Sequence, residues 1–216
     1  MASASRYSRP MATGIDYTQA ASSETIEKVA ANLTANNIEA VIVQDGAEAR
    51  QKVLERIPEG AEVHTAKSKT MEDTGLYADL NESGRYNPIR PRYMAMDRKT
   101  QGDQIRRMVA VPDHIAGSVQ ALTEEGILVV VSYAGSQIAP YAGGAGKVLL
   151  VVGSQKIVPD LDSAMRRIDD HVFPYEDERL QSELGVHTKI AKVLQIRLEP
   201  RPGRMTVFLT REPVGV

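Results

Sequence analysis

The sequence predicts an α/β domain: a mainly parallel central sheet flanked by helices, closed by a C-terminal antiparallel hairpin. Three observations predict it. Helical and strand-like segments alternate over residues 23–65. Two runs, Ile127–Val131 and Val148–Val152, are continuously apolar, as strands covered on both faces are. A polar loop follows each run, at the edge where open α/β sheets bind ligands. The 216 residues divide into a flexible tail over 1–22, rich in Ser, Ala, Thr and Gly, and a single domain over 23–216. That length buries a core without disulfide or metal staples.

Each element follows from its own pattern. Ile26, Val29, Ala30 and Leu33 fall on one face of a helix that Asn36–Asn37 ends. Ala40–Val43 is a short apolar strand. Asp45, with Glu48 three positions on, has capping-box spacing and opens a helix carrying Ala49, Val53, Leu54 and Ile57. Pro58-Glu59-Gly60 stops it, and Glu62–Thr65 is a weaker strand. Residues 66–105 form a longer excursion, with a short helix over Thr70–Leu80 and another over Met94–Val109, interrupted at Gly102. Ile127–Val131 and Val148–Val152 then supply the centre of the sheet. Pro159-Asp160 opens a helix with Leu161, Met165, Ile168 and Val172 on one face, and Glu176–Leu184 is a further helix stopped by Gly185. Val193–Leu198 alternates as a half-exposed strand does. Pro200, Pro202 and Gly203 turn the chain into Met205–Leu209, which reads as the second arm of the hairpin and an edge for pairing with a second copy.

Composition narrows the function. Lys and Arg total 26 against 28 Asp and Glu, a net charge of −2, which lacks the overall signature of a nucleic-acid binder. There is no cysteine, so thiolate metal sites, iron–sulfur ligation and cysteine nucleophiles are excluded. No apolar run reaches the roughly 20 residues of a membrane span, and no secretory signal opens the chain. The expectation is a soluble cytoplasmic protein. The four histidines stand in no metal-ligand spacing; His64 reads as a structural histidine. No cofactor motif is present. The glycines of Tyr141–Lys147 precede a strand rather than open a helix, the wrong order for a phosphate loop, and read as a turn into Val148.

Two loops carry candidate chemistry. Ser132–Gln137 follows the first apolar run with hydroxyls, an amide and the exposed peptide groups around Gly135, all suited to an anion. Gly153–Lys156 follows the second and adds a cation, so the two form one polar rim. Ahead of the first run, Thr123-Glu124-Glu125-Gly126 places a carboxylate in a constrained turn beside the sheet, a candidate acid, base or nucleophile.

Taken together, these segments resemble the LUD-domain family, which includes lactate-utilisation protein C. Gly117–Gly126 is similar to its G-S-V-x-A-x-T-E-x-G element. Gly135-Ser136-Gln137, Val151–Leu161, Pro174–Arg179, Pro202-Gly203-Arg204 and Glu212 continue the pattern in order. The match is close over residues 107–214 and looser over 23–106. Tyr133 and Gly185–Lys189 depart from the usual family pattern.

The resemblance implies a fold like the ribose-5-phosphate isomerase and CoA-transferase superfold. It also implies a part in bacterial oxidation of lactate to pyruvate beside iron–sulfur subunits. CoA-transferase relatives use a glutamate nucleophile, a role open to Glu124 or Glu125. The leading expectation is a component of lactate utilisation that binds a small anionic metabolite or a partner subunit. Glu124 is its acid/base, with Ser118, Thr123, Ser132, Gly135, Ser136, Gln137, Gln155 and Lys156 its binding residues. A stand-alone isomerase or acyl transferase, and a non-catalytic assembly or regulatory subunit, are the alternatives.

Overall fold

Ser22 accepts a hydrogen bond from the Thr25 amide and so starts α1 (Ser23–Ala35), whose Ile26, Val29 and Leu33 are all buried. The helix ends at Asn37, the one non-glycine residue with left-handed backbone among those described. The computed structural model describes residues 16–216. Of the tail expected over 1–22, residues 1–15 lie outside the described residues; Ala21 packs against the core.

After β1 (Glu39–Val43), the Asp45 carboxylate caps α2 (Gly46–Glu55). Glu48 reaches back to the Gln44 amide at 2.7 Å, satisfying donors at the helix start that have no partner within it. Then come β2 (Glu62–Thr65), α3 (Lys69–Asp73), α4 (Leu76–Glu82), β3 (Asn87–Pro88), α5 (Ile89–Met94) and α6 (Gly102–Ala110). The helix expected over Met94–Val109 is therefore two helices. Between them Asp97 accepts from the Lys99 amide and the Thr100 hydroxyl, a local turn that competes with helix.

The second half supplies β4 (His114–Gly117), β5 (Ala121–Thr123), β6 (Leu128–Ser132), a π-type turn over Pro140–Gly144 and β7 (Lys147–Gly153). A 3-10 turn over Ser154–Lys156 leads to β8 (Ile157–Val158). Next are α7 (Leu161–Arg167), a π turn over Ile168–Val172, α8 (Phe173–Leu184), β9 (Lys192–Ile196) and β10 (Met205–Thr210).

The strands make two sheets. The larger runs β1-β10-β7-β4-β2-β3, every neighbouring pair parallel. The smaller runs β8-β5-β6-β9, with β6 antiparallel to both neighbours and β5–β8 parallel. The expected α/β class with a mainly parallel sheet is what the chain adopts, with two corrections. Val193–Leu198 and Met205–Leu209 do not form a hairpin. β9 pairs with β6, whereas β10 lies parallel between β1 and β7. The reason is burial: every residue of β10 is buried, and a strand covered on both faces belongs inside a sheet, not on a half-exposed hairpin. Likewise the Ile127 run does not share the Val148 sheet, since β6 is an inner strand of the smaller one.

The larger sheet separates two apolar layers. Met205, Val207 and Leu209 of β10 join Ile26, Val29 and Leu33 of α1 on one side. Phe208 joins Ala49 and Val53 of α2 on the other. Each fully buried aliphatic side chain contributes about 1.5–3 kcal/mol. A third cluster seats Ala164 and Ile168 on the smaller sheet through Ala121 and Val129. Among the described residues no helix is long and apolar enough to cross a membrane.

Candidate functional site: a lysine cavity between the two sheets

The carboxyl ends of β4, β6 and β7 converge on a cavity of about 280 Å³. Lys156 lines it. This residue follows β7 in the 3-10 turn, and the turn is fastened from behind. Ser154 donates to the Arg211 carbonyl at 2.7 Å and Gln155 donates to the Val214 carbonyl at 2.9 Å. With its two predecessors held that way, Lys156 projects toward α3 and β4. It is 2 % exposed, and its Nζ donates to Thr70 Oγ1 at 2.8 Å and to Ser118 Oγ at 3.1 Å. Ser118 is placed by a close packing contact: a Cβ on Gly117 would overlap the Tyr141 hydroxyl, which donates to the Ser118 carbonyl at 3.4 Å.

No carboxylate forms an ion pair with Lys156 among the described residues. Burial, reinforced by the positive charge of Arg167 and opposed by Asp73, pushes its ammonium down to about 7. Arg167 is itself fully buried. It donates from Nη1 to the Gln120 carbonyl at 2.5 Å, lies 6.0 Å from the Tyr17 ring centroid, and leaves Nε and Nη2 without a hydrogen-bond partner. Burial likewise lowers it, to about 10.

The walls are apolar where Val131, Val172, Phe173 and Ile190 face the space. Among the remaining charged side chains, Lys67, Lys69 and Lys189 line the cavity against one acidic side chain, Glu176, and Val216 also borders it. Glu176 is already paired to Arg179 at 2.7 Å, Lys67 to Glu183 at 3.2 Å, and Lys69 to Asp73. Lys189 has no ion pair among the described residues. A concave apolar space with a few convergent cations is suited to a small organic anion.

The structure distributes the expected site residues unevenly. Ser118, Ser132, Gln137 and Lys156 line this cavity. Ser132 accepts from the Gly135 amide at 2.9 Å and donates to the Gln137 side chain at 3.3 Å, which fixes the loop. Gly135 and Ser136 line a separate depression of about 470 Å³, beside Arg90, Arg98 and Arg106. Gln155 faces the C-terminal segment rather than the cavity. Thr123 is buried, its hydroxyl accepting from the Ile127 amide at 3.1 Å. Glu124, directly after β5, is not among the residues lining the cavity and is ion-paired to Lys28 of α1 at 2.7 Å. Sequence reasoning missed Thr70, Arg167 and Lys189. His64 is fully buried edge-on to Tyr93, and burial with the nearby Arg90 charge lowers it to about 4.

The fold and this cavity define the class: an α/β protein with a parallel sheet and a buried lysine at the carboxyl ends of its strands. The LUD domain matches residues 26–209, and the chain belongs to the LUD-domain family. Membership associates it with lactate utilisation at the level of the family. A crystal structure of a DUF162 family protein from Deinococcus radiodurans is similar at 10% identity and a TM-score of 0.47, covering 87% of this chain and 96% of that one. No curated protein matches the sequence.

Proposed function

We propose that this protein is a component of bacterial lactate utilisation that holds a small organic anion, a 2-hydroxy or 2-oxo acid, in the Lys156 cavity. One observation carries the reading. Lys156, which lines the cavity, is buried with the positive charge of a second buried cation, Arg167, bearing on it from behind the wall, and neither forms an ion pair with a carboxylate among the described residues. Two desolvated like charges are costly, and an anionic ligand is the partner that offsets them. Lys189 at the mouth, exposed and unpaired among the described residues, attracts the same charge. Oxidation itself falls to iron–sulfur partner subunits, since a chain without cysteine has no thiolate to hold such clusters.

The test is ligand-linked stability, because a ligand that binds only the folded state stabilises it by about 2.7 kcal/mol at a hundred times its Kd. Lactate or pyruvate should raise the melting temperature of the wild type. Lys156→Ala should abolish the rise while Glu124→Gln leaves it intact. An equal response from Lys156→Ala, or none from the wild type, defeats the reading.

A further inference from the structure

We propose that Lys156 is a nucleophilic amine that forms an imine with the carbonyl carbon of a small 2-oxo acid bound in the cavity. The inference rests on the anion-site reading above and names the functional group that the ligand must carry. Three observations support it, and the first is the choice of partners. The other lysines that reach a carboxylate, Lys28, Lys52, Lys67 and Lys69, do so near the surface. Lys156 is the buried lysine among the described residues, and its Nζ meets two neutral hydroxyls instead. A lysine kept for structure gains from a carboxylate, which holds it charged and non-nucleophilic. Hydroxyls satisfy its hydrogen bonds while leaving the neutral amine accessible.

The second observation is the neighbourhood. A lysine is made nucleophilic by desolvation or by an adjacent cation, and both are present here, the cation being Arg167. Of the charged groups bearing on Lys156, only Asp73 favours its protonated form, and Asp73 is engaged by Lys69. A substantial fraction of the amine is therefore neutral near pH 7.

The third is the placement of proton carriers. Thr70 and Ser118 hydroxyls contact the amine from α3 and from the end of β4. In the reaction the Nζ lone pair attacks the ketone carbon. A C–N bond forms as the C=O π pair moves to oxygen, which takes up a proton. Nitrogen gives up one proton through the flanking hydroxyls, and the carbinolamine oxygen leaves as water after accepting another. The product is a protonated imine: neutral amine, ketone and one proton become iminium and water, with no change of oxidation state. The substrate carboxylate lies toward Lys189 at the mouth.

The experiment is reductive trapping on the full-length protein with pyruvate as probe. Cyanoborohydride reduces an imine to a stable secondary amine, and intact mass with peptide mapping locates it. The expected result is one reduced pyruvyl group per chain on Lys156, none on Lys156→Arg, and a higher half-saturating pyruvate concentration for Lys189→Gln. Pyruvate that raises the melting temperature of the wild type yet leaves no adduct overturns the imine and spares the anion site. Absence of both the shift and the adduct overturns the two together. An adduct on Lys67 or Lys189 with Lys156 unmodified overturns the assignment. Mapping on the wild type decides the matter even if a variant fails to fold.

Discussion

At Lys156 the group expected to do chemistry is also one that costs stability. In the unfolded chain it keeps the ordinary value of 10.5, whereas burial lowers it to about 7 in the fold. Below about 7 it is charged in both states, and folding carries the full cost of burying the cation. Between about 7 and 10.5 the unfolded chain holds a proton that the folded chain lacks, so stability climbs with pH. The contribution is bounded by about 1.4 kcal/mol per pH unit. Lys156→Met removes this slope, so wild type should gain on the variant as pH rises from 7 to 10. Urea unfolding at pH 6 and pH 9 checks it, and parallel profiles would show that Lys156 keeps its ordinary pKa. Sequence reading reached Lys156 because it follows a legible strand end, and Ser118 because it stands in the Gly117–Gly126 element that carries the family resemblance. It did not reach Thr70, whose contact with Lys156 spans 86 positions and is created by the packing of α3 on β7. Nor did it find Arg167, whose place in a helix with charged neighbours reads as solvated. Glu124 stood out as a carboxylate in a turn, and nothing local to its sequence signals that Lys28 would claim it.

Among the elements, the turn from β9 into β10 is governed by an ion pair rather than by hairpin pairing. Arg204 and Glu199 meet at 2.6 Å with side chains only 4% and 3% exposed. The same guanidinium donates to the Pro140, Tyr141 and Ala145 carbonyls, so it also ties down the π turn that precedes β7. Arg204→Met should cost about 3–5 kcal/mol in chemical denaturation, because it strands a buried carboxylate as well as those carbonyls. Adding Glu199→Met should restore part of the loss, and a single variant as stable as wild type would refute this. Apolar continuity made β6 and β7 legible as buried strands. Met205–Leu209, interrupted by Thr206, has no such continuity and reads locally as a hairpin arm, because which neighbours cover β10 is set by distant segments. β3, β5 and β8, of two or three residues each, are too short to show any period.

For the molecule as a whole, α/β alternation and two runs of apolar residues sufficed for the class, while the division into two sheets depended on contacts that no local pattern encodes. The six-stranded sheet holds β10 and β7 side by side in its interior, both faces covered, and has β1 and β3 at its edges. Amide hydrogen exchange should therefore be slowest in β7 and β10 and faster at β1 and β3, since core strands open only with global unfolding. A β10 that exchanges as fast as β1 would place the stability elsewhere. The position of β10 also bears on how the protein is made. Among the described residues β1 pairs with β10 alone, and Glu39 bonds a threonine 167 positions further along. At roughly 5–20 residues per second, a nascent β1 leaves the ribosome about 8–30 s before β10. During that interval its unpaired peptide N–H and C=O groups and its apolar side chains are open to other chains, so the sheet that positions the lysine cavity is completed late.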